Sequence, residues 1–80
     1  MNISKAVALR ITQLLEQKHM TQYKLAQKSC LSHDTLKSIM KGKAKGVNLR
    51  TIIAIADGLD MTVVEFLNCD LFLYDNLNLD

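Results

Sequence analysis

Apolar residues along most of the chain recur at steps of three and four, the spacing of helices that bury one face. Val7, Leu9, Ile11, Leu14 and Leu15 predict a first helix, capped by Ser4 and running to about Lys18, with Lys5 and Arg10 off the buried stripe. His19-Met20 reads as a connector, with Met20 as a hydrophobic staple for the second helix. Thr21 is a good N-cap, and Gln22 to about Ser29 predicts that second helix, burying Tyr23, Leu25 and Ala26. The small side chain of Ala26 suits a close helix crossing. Cys30-Leu31 then turns the chain, and Ser32 caps a third helix. Its inward side is Leu31, Leu36, Ile39 and Met40; its outward side is His33, Asp34, Thr35, Lys37, Ser38 and Lys41. Gly42 fits a left-handed C-cap.

After a short basic loop, Lys43 to Val47, Asn48 caps a fourth helix. Leu49, Ile52, Ile53, Ile55, Ala56 and Leu59 crowd one broad face of it, and the segment from Gly58 to Met61 closes it. Thr62 and Glu65 form a capping box for a last short helix through Val64, Phe66 and Leu67. The expectation is an all-α fold, a compact five-helix bundle over residues 1–68. Residues 69–80 change character: Leu71, Leu73, Leu77 and Leu79 fall on alternate positions, interrupted by Asp75, which is a strand-like period. A lone strand needs a partner. The tail is therefore expected to pair with the same tail of a second subunit, making it a candidate dimerisation segment, or to pack on a core; a frayed acidic terminus is the alternative.

Composition narrows this further. Eighty residues without proline and with three glycines make one domain, near the lower size at which a single core suffices. Aromatic residues are only 5% of the chain, so the packing is aliphatic. No apolar run approaches the roughly 18–20 residues of a membrane span, and the first ten residues lack the apolar region of a signal peptide, so a cytoplasmic location is the default. Cys30 and Cys69 are far apart and not in C-x-x-C spacing, which reads as free thiols. The net charge of +2 hides an asymmetry. Residues 1–50 hold ten bases against Glu16 and Asp34, a balance of +8, and residues 51–80 hold six acids and no base. A fold with one basic and one acidic end suits a polyanion and orients the molecule towards it.

The order Gln22, Leu25-Ala26, Leu31, Ser32, Leu36, Ile39, Gly42 resembles the lambda-repressor/Cro-like, or Xre, helix-turn-helix family, over roughly Leu9 to Leu67. The resemblance implies double-stranded DNA as partner, with no cofactor or metal. By register it gives His33, Asp34 and Ser38 base-reading positions, with Thr35 and Lys37 beside them. Independently, the N-terminal part of a helix in the major groove presents side chains to base edges while flanking amides and lysines hold phosphates. Thr35 offers a methyl for thymine, His33 a donor for guanine, and Asp34 either an acceptor for cytosine or a ligand for its own helix terminus. Gln22, Lys41, Lys43, Lys45 and Asn48 form the expected phosphate clamp, each lysine steepening the salt dependence.

Three positions depart from the family. Cys30 stands where glycine usually supplies a left-handed backbone, at a cost on the order of 1 kcal/mol. Leu15 and Met40 replace a buried arginine–glutamate pair, a double change that leaves no unpaired charge. Ser29 stands where an apolar residue is commoner, and its hydroxyl is expected to bond back to its helix. No nucleophile–base set and no metal-ligand spacing argue for an enzyme. The function expected is a sequence-specific regulator of transcription, a repressor acting as a homodimer on an inverted repeat. The alternatives are an antitoxin that masks a toxin with its acidic tail, and an adaptor that has lost DNA binding.

Overall fold

The computed structural model describes residues 1–42 and 46–78. The described residues form five helices in chain order: α1 (Ile3–Lys18), α2 (Gln22–Ser29), α3 (His33–Met40), α4 (Leu49–Gly58) and α5 (Val63–Leu67). Two single-turn 3-10 segments come after them, Asp70–Phe72 and Tyr74–Asn76. The all-α bundle expected from the sequence is the fold found.

Side-chain caps set where the helices start. Thr21, Ser32, Asn48 and Thr62 each accept a hydrogen bond from the amide three residues on, and Glu65 accepts one from the Thr62 amide, completing the capping box. At the first helix the cap is Asn2, whose Oδ1 accepts from the Lys5 amide at 2.8 Å, and not Ser4. Ser4 lies inside α1 and is buried. Both are capping residue types; the earlier one is used because Ile3 and Ser4 join the helix.

Helix ends are set by backbone handedness. His19, Cys30 and Asp60 have φ of 53°, 57° and 59°, and Gly42 has 68°. At each of the first three, the following amide bonds back across the last turn: Met20 to the Leu15 carbonyl, Leu31 to Ala26 and Met61 to Ala56. These bonds satisfy carbonyls the helix leaves open. A Cβ on Gly42 would sit 3.4 Å from the Lys5 Cα, an ordinary contact distance, so the end of α3 is seated on the first turns of α1 and it is the positive φ that calls for glycine.

One core gathers Val7, Ile11, Leu14 and Leu15 from α1, Leu25 and Ala26 from α2, Leu36 and Ile39 from α3, and Ile52, Ile55, Ala56, Leu59 and Phe66 beyond. Leu15 lies within it and Met40 packs against it, as the loss of an ion pair in favour of two apolar groups requires. Each fully buried Leu, Ile or Phe contributes about 1.5–3 kcal/mol. Four apolar side chains expected inside lie on the surface instead: Leu9, Tyr23, Leu49 and Ile53. The helices bury a narrower stripe than their apolar content suggested.

Helices α2 and α4 cross closely. A Cβ on Gly58 would fall 2.2 Å from the Ser29 Oγ and 3.1 Å from the Ser29 amide nitrogen. Gly58 therefore serves close approach, and Asp60 takes the left-handed turn. The Ser29 hydroxyl is buried against that crossing without a hydrogen-bond partner among the described residues, contrary to the expected bond back to its helix.

The tail is not strand-like. Its two 3-10 turns lead Phe72 to 6.1 Å from the Phe66 ring and bring Asn78 beside Asn2, with the Asn78 amide bonded to the Met1 carbonyl at 2.8 Å. A single bridge to the start of α1 replaces the extended pairing the alternation suggested. Leu71 and Leu77 are half-buried and Leu73 is exposed, while Leu79 lies outside the described residues.

Candidate nucleic-acid interface

Helix α3 packs on both α1 and α2, which leaves one side free. Leu36 and Ile39 face the core, and that fixes the opposite side by helical spacing. Asp34, Lys37 and Ser38 are exposed on that side, His33 and Thr35 are exposed on its two flanks, and Lys41 is exposed at the helix end. His33 and Lys37, and likewise Asp34 and Ser38, are four residues apart and so lie one turn above each other.

Their side chains are not equally free. Ser32 Oγ accepts from the Thr35 amide at 3.0 Å and donates to Thr35 Oγ1 at 2.7 Å. The Thr35 hydroxyl oxygen is thus tied into the cap. Asp34 stands in the first turn of α3, where the exposed amides favour a negative charge.

Three of the candidate clamp residues, Gln22, Lys41 and Asn48, are exposed. Gln22 is exposed at the first position of α2. Asn48 is exposed at the start of α4, and its Oδ1 is engaged by the Thr51 amide at 2.8 Å, which leaves the amide –NH2 as its free donor. Lys43 and Lys45 lie outside the described residues. Two residues escaped the sequence reading. Arg50 is exposed in the first turn of α4, two residues after Asn48, and its charge beside a cap was the available signal. Tyr23, expected in the core, is exposed with its ring centroid 6.1 Å from that of His33. The apolar spacing of α2 gave no warning of this.

Away from this face, bonds hold the support in place. Arg10 donates from Nε to the Phe66 carbonyl at 2.7 Å and from an η nitrogen to the Glu65 carbonyl at 3.0 Å, with its guanidinium 6.0 Å from the Phe66 ring centre. A five-residue helix leaves most of its carbonyls open; from α1, Arg10 bonds the Phe66 carbonyl and adds a second donor to that of Glu65, which also accepts from the Asn68 amide. Lys28 pairs with Asp60 at 2.6 Å, joining α2 to the end of α4. The hydrogen bond from Lys28, and then its charge, hold the Asp60 carboxyl below its ordinary pKa. The Thr62 backbone amide does the same for Glu65 in the capping box.

Two short helices joined by a tight left-handed turn, the second with a polar outward face, are thus held on a three-helix support. A family model for the Cro/C1-type HTH DNA-binding domain matches residues 10–70. The chain belongs to the Cro/C1-type helix-turn-helix family. Its fold is also similar to a solved structure, the wild-type restriction-modification controller protein C.Esp1396I, with a TM-score of 0.72 and 26% identity over 80% of this chain and 82% of that one. A comparison with curated proteins finds no match. Membership makes this a DNA-binding domain of transcription regulation, in a family of regulators and not of enzymes. Among the described residues no helix is long and apolar enough to cross a membrane.

Proposed function

We propose that this Cro/C1-type protein is a repressor that reads an inverted-repeat operator through the outward face of α3. The observation that carries the reading is the exposure of Asp34, Lys37 and Ser38 opposite the packed side of α3, with His33 and Thr35 exposed on its flanks. In this reading His33 donates to a base edge, the Thr35 methyl meets a thymine, and Lys37 and Ser38 reach the next base pairs. Gln22, Lys41, Lys43, Lys45 and Asn48 hold phosphates on either side, with Arg50 added from the structure. The likeness to a protein named as a controller supports a regulatory role.

The working unit proposed is a homodimer, with half-sites about one helical turn apart, roughly 34–36 Å. One copy measures 32 × 23 × 21 Å, small enough for two to sit side by side at that spacing. The tail is the proposed dimer contact, and Leu73, 55% exposed, is its outward leucine. Leu73→Asp is expected to halve the mass seen by light scattering. If Leu73→Asp stays dimeric while Ile53→Asp becomes monomeric, the contact belongs to the outer stripe of α4 instead.

Selection of bound sites from randomised DNA at two salt concentrations tests binding, symmetry and the reading face together. His33→Ala is expected to lose about 1–3 kcal/mol of discrimination at one base position. Lys41→Ala is expected to weaken all sequences alike and reduce the log–log salt slope by about 0.9. An unchanged preferred sequence in His33→Ala overturns this assignment of the reading face.

A further inference from the structure

We infer that Tyr23 positions His33 for base reading and so sets how sharply the protein discriminates between sites; this rests on the reading face proposed above. Tyr23 is the second residue of α2, and 61% of it is exposed. Its ring lies 6.1 Å from the His33 ring, tilted at 45°, within the range of an attractive aromatic pair. A tyrosine this exposed adds little to the core, so its ring needs another reason to lie where it does.

His33 supplies that reason. Helical side chains lean towards the N-terminus and rest on the preceding turn of their own helix. His33 is the first residue of α3, and it has no preceding turn of that helix to rest on. Ser32, the residue before it, has its hydroxyl committed to Thr35. The aromatic neighbour that limits the imidazole comes from α2, across the motif turn. Holding the imidazole in one orientation before DNA arrives reduces the ordering left for binding, and it does so only where the imidazole meets its base. Tyr23 is thus a positioning residue, acting through a reader carried by a different helix.

The test compares the wild type, Tyr23→Phe, Tyr23→Ala, His33→Ala and the Tyr23→Ala/His33→Ala double variant. Each is titrated with a duplex of the selected operator and with one altered at the His33-dependent base pair. Circular dichroism melts confirm that each is folded, as the exposure of both residues leads one to expect. Tyr23→Ala is expected to lose about three- to tenfold of the discrimination at that base pair, from the size of an aromatic pair. Tyr23→Phe keeps it, the salt slope stays the same, and Tyr23→Ala adds no further loss once His33 is gone. Full discrimination in Tyr23→Ala, or additive losses in the double variant, overturns the inference while leaving the His33 reading intact. Equal weakening of both duplexes in Tyr23→Phe also overturns it, since the phenol would then be holding a phosphate. If His33→Ala keeps the wild-type preference, or the wild type shows no salt-sensitive DNA binding, the reading face fails and takes this inference with it.

Discussion

Helices α2 and α3 and the tail after α5 show two ways a short segment becomes ordered. Each helix of the motif carries its own start signal, Thr21 or Ser32, and sends at least two residues into the core. The tail has neither: its 3-10 turns lack side-chain caps and contain no buried residue. It is held from outside, by Phe72 against Phe66 and by main-chain and terminal contacts with Met1 and Asn2. Motif order is therefore encoded locally and reinforced by packing, whereas tail order is borrowed from the bundle it lies on.

Core truncation separates the two most strongly. Leu36→Ala in the motif is expected to cost about 2–5 kcal/mol of unfolding free energy, and Phe72→Ala in the tail only about 1–2 kcal/mol. Denaturant titration reads both; equal losses would show the tail to be part of the same cooperative core. Next in size is Gly58→Ala, which forces a methyl against Ser29 and is expected to cost about 1–3 kcal/mol. Ser29→Ala on its own is expected to raise stability by about 1 kcal/mol, because it removes a buried hydroxyl without a partner among the described residues. It should also soften Gly58→Ala, a non-additivity that a double-mutant cycle measures.

The smallest effect concerns the pair that ties α2 to α4. The Asp60 carboxyl titrates below its ordinary value because Lys28 bonds to it. A carboxyl lowered by folding stabilises above its unfolded pKa, and that contribution is lost as pH falls through the folded value. Asp60→Asn keeps a residue that tolerates the left-handed backbone but removes the charge. The wild type should melt slightly higher than this variant near neutrality, and the difference should begin to shrink below about pH 4 and vanish only below the lowered folded value. A difference that persists in acid would mean that the side chain acts through something other than its charge.

Legibility in the sequence followed the same division. Caps at Thr21, Ser32, Asn48 and Thr62 are local signals, and all four helices they open begin where expected. The exposed polar face of α3 followed directly from the inward spacing of Leu36 and Ile39. What could not be read depended on distant partners. Phe72 turns the tail inward because Phe66 is there, and Arg10 faces α5 because the carbonyls of Glu65 and Phe66 lie within reach. Tyr23, Leu49 and Ile53 carry apolar character without saying whether a neighbouring helix will cover them. Ser29 shows the limit most plainly, since the fate of its hydroxyl was decided by a glycine twenty-nine residues further on.

The left-handed residues that end α1, α2 and α4 have a consequence for the denatured chain. A side chain at such a position strains the folded backbone by about 1–2 kcal/mol. Yet glycine in its place would leave the unfolded chain freer, by about 0.4–1 kcal/mol, so part of the strain is offset. His19, Cys30 and Asp60 thus cost less than their strain alone, and a chain with few glycines has correspondingly less disorder to give up on folding. What these positions restrict is substitution: an unbranched side chain is tolerated, whereas valine or isoleucine would crowd the backbone beyond that balance.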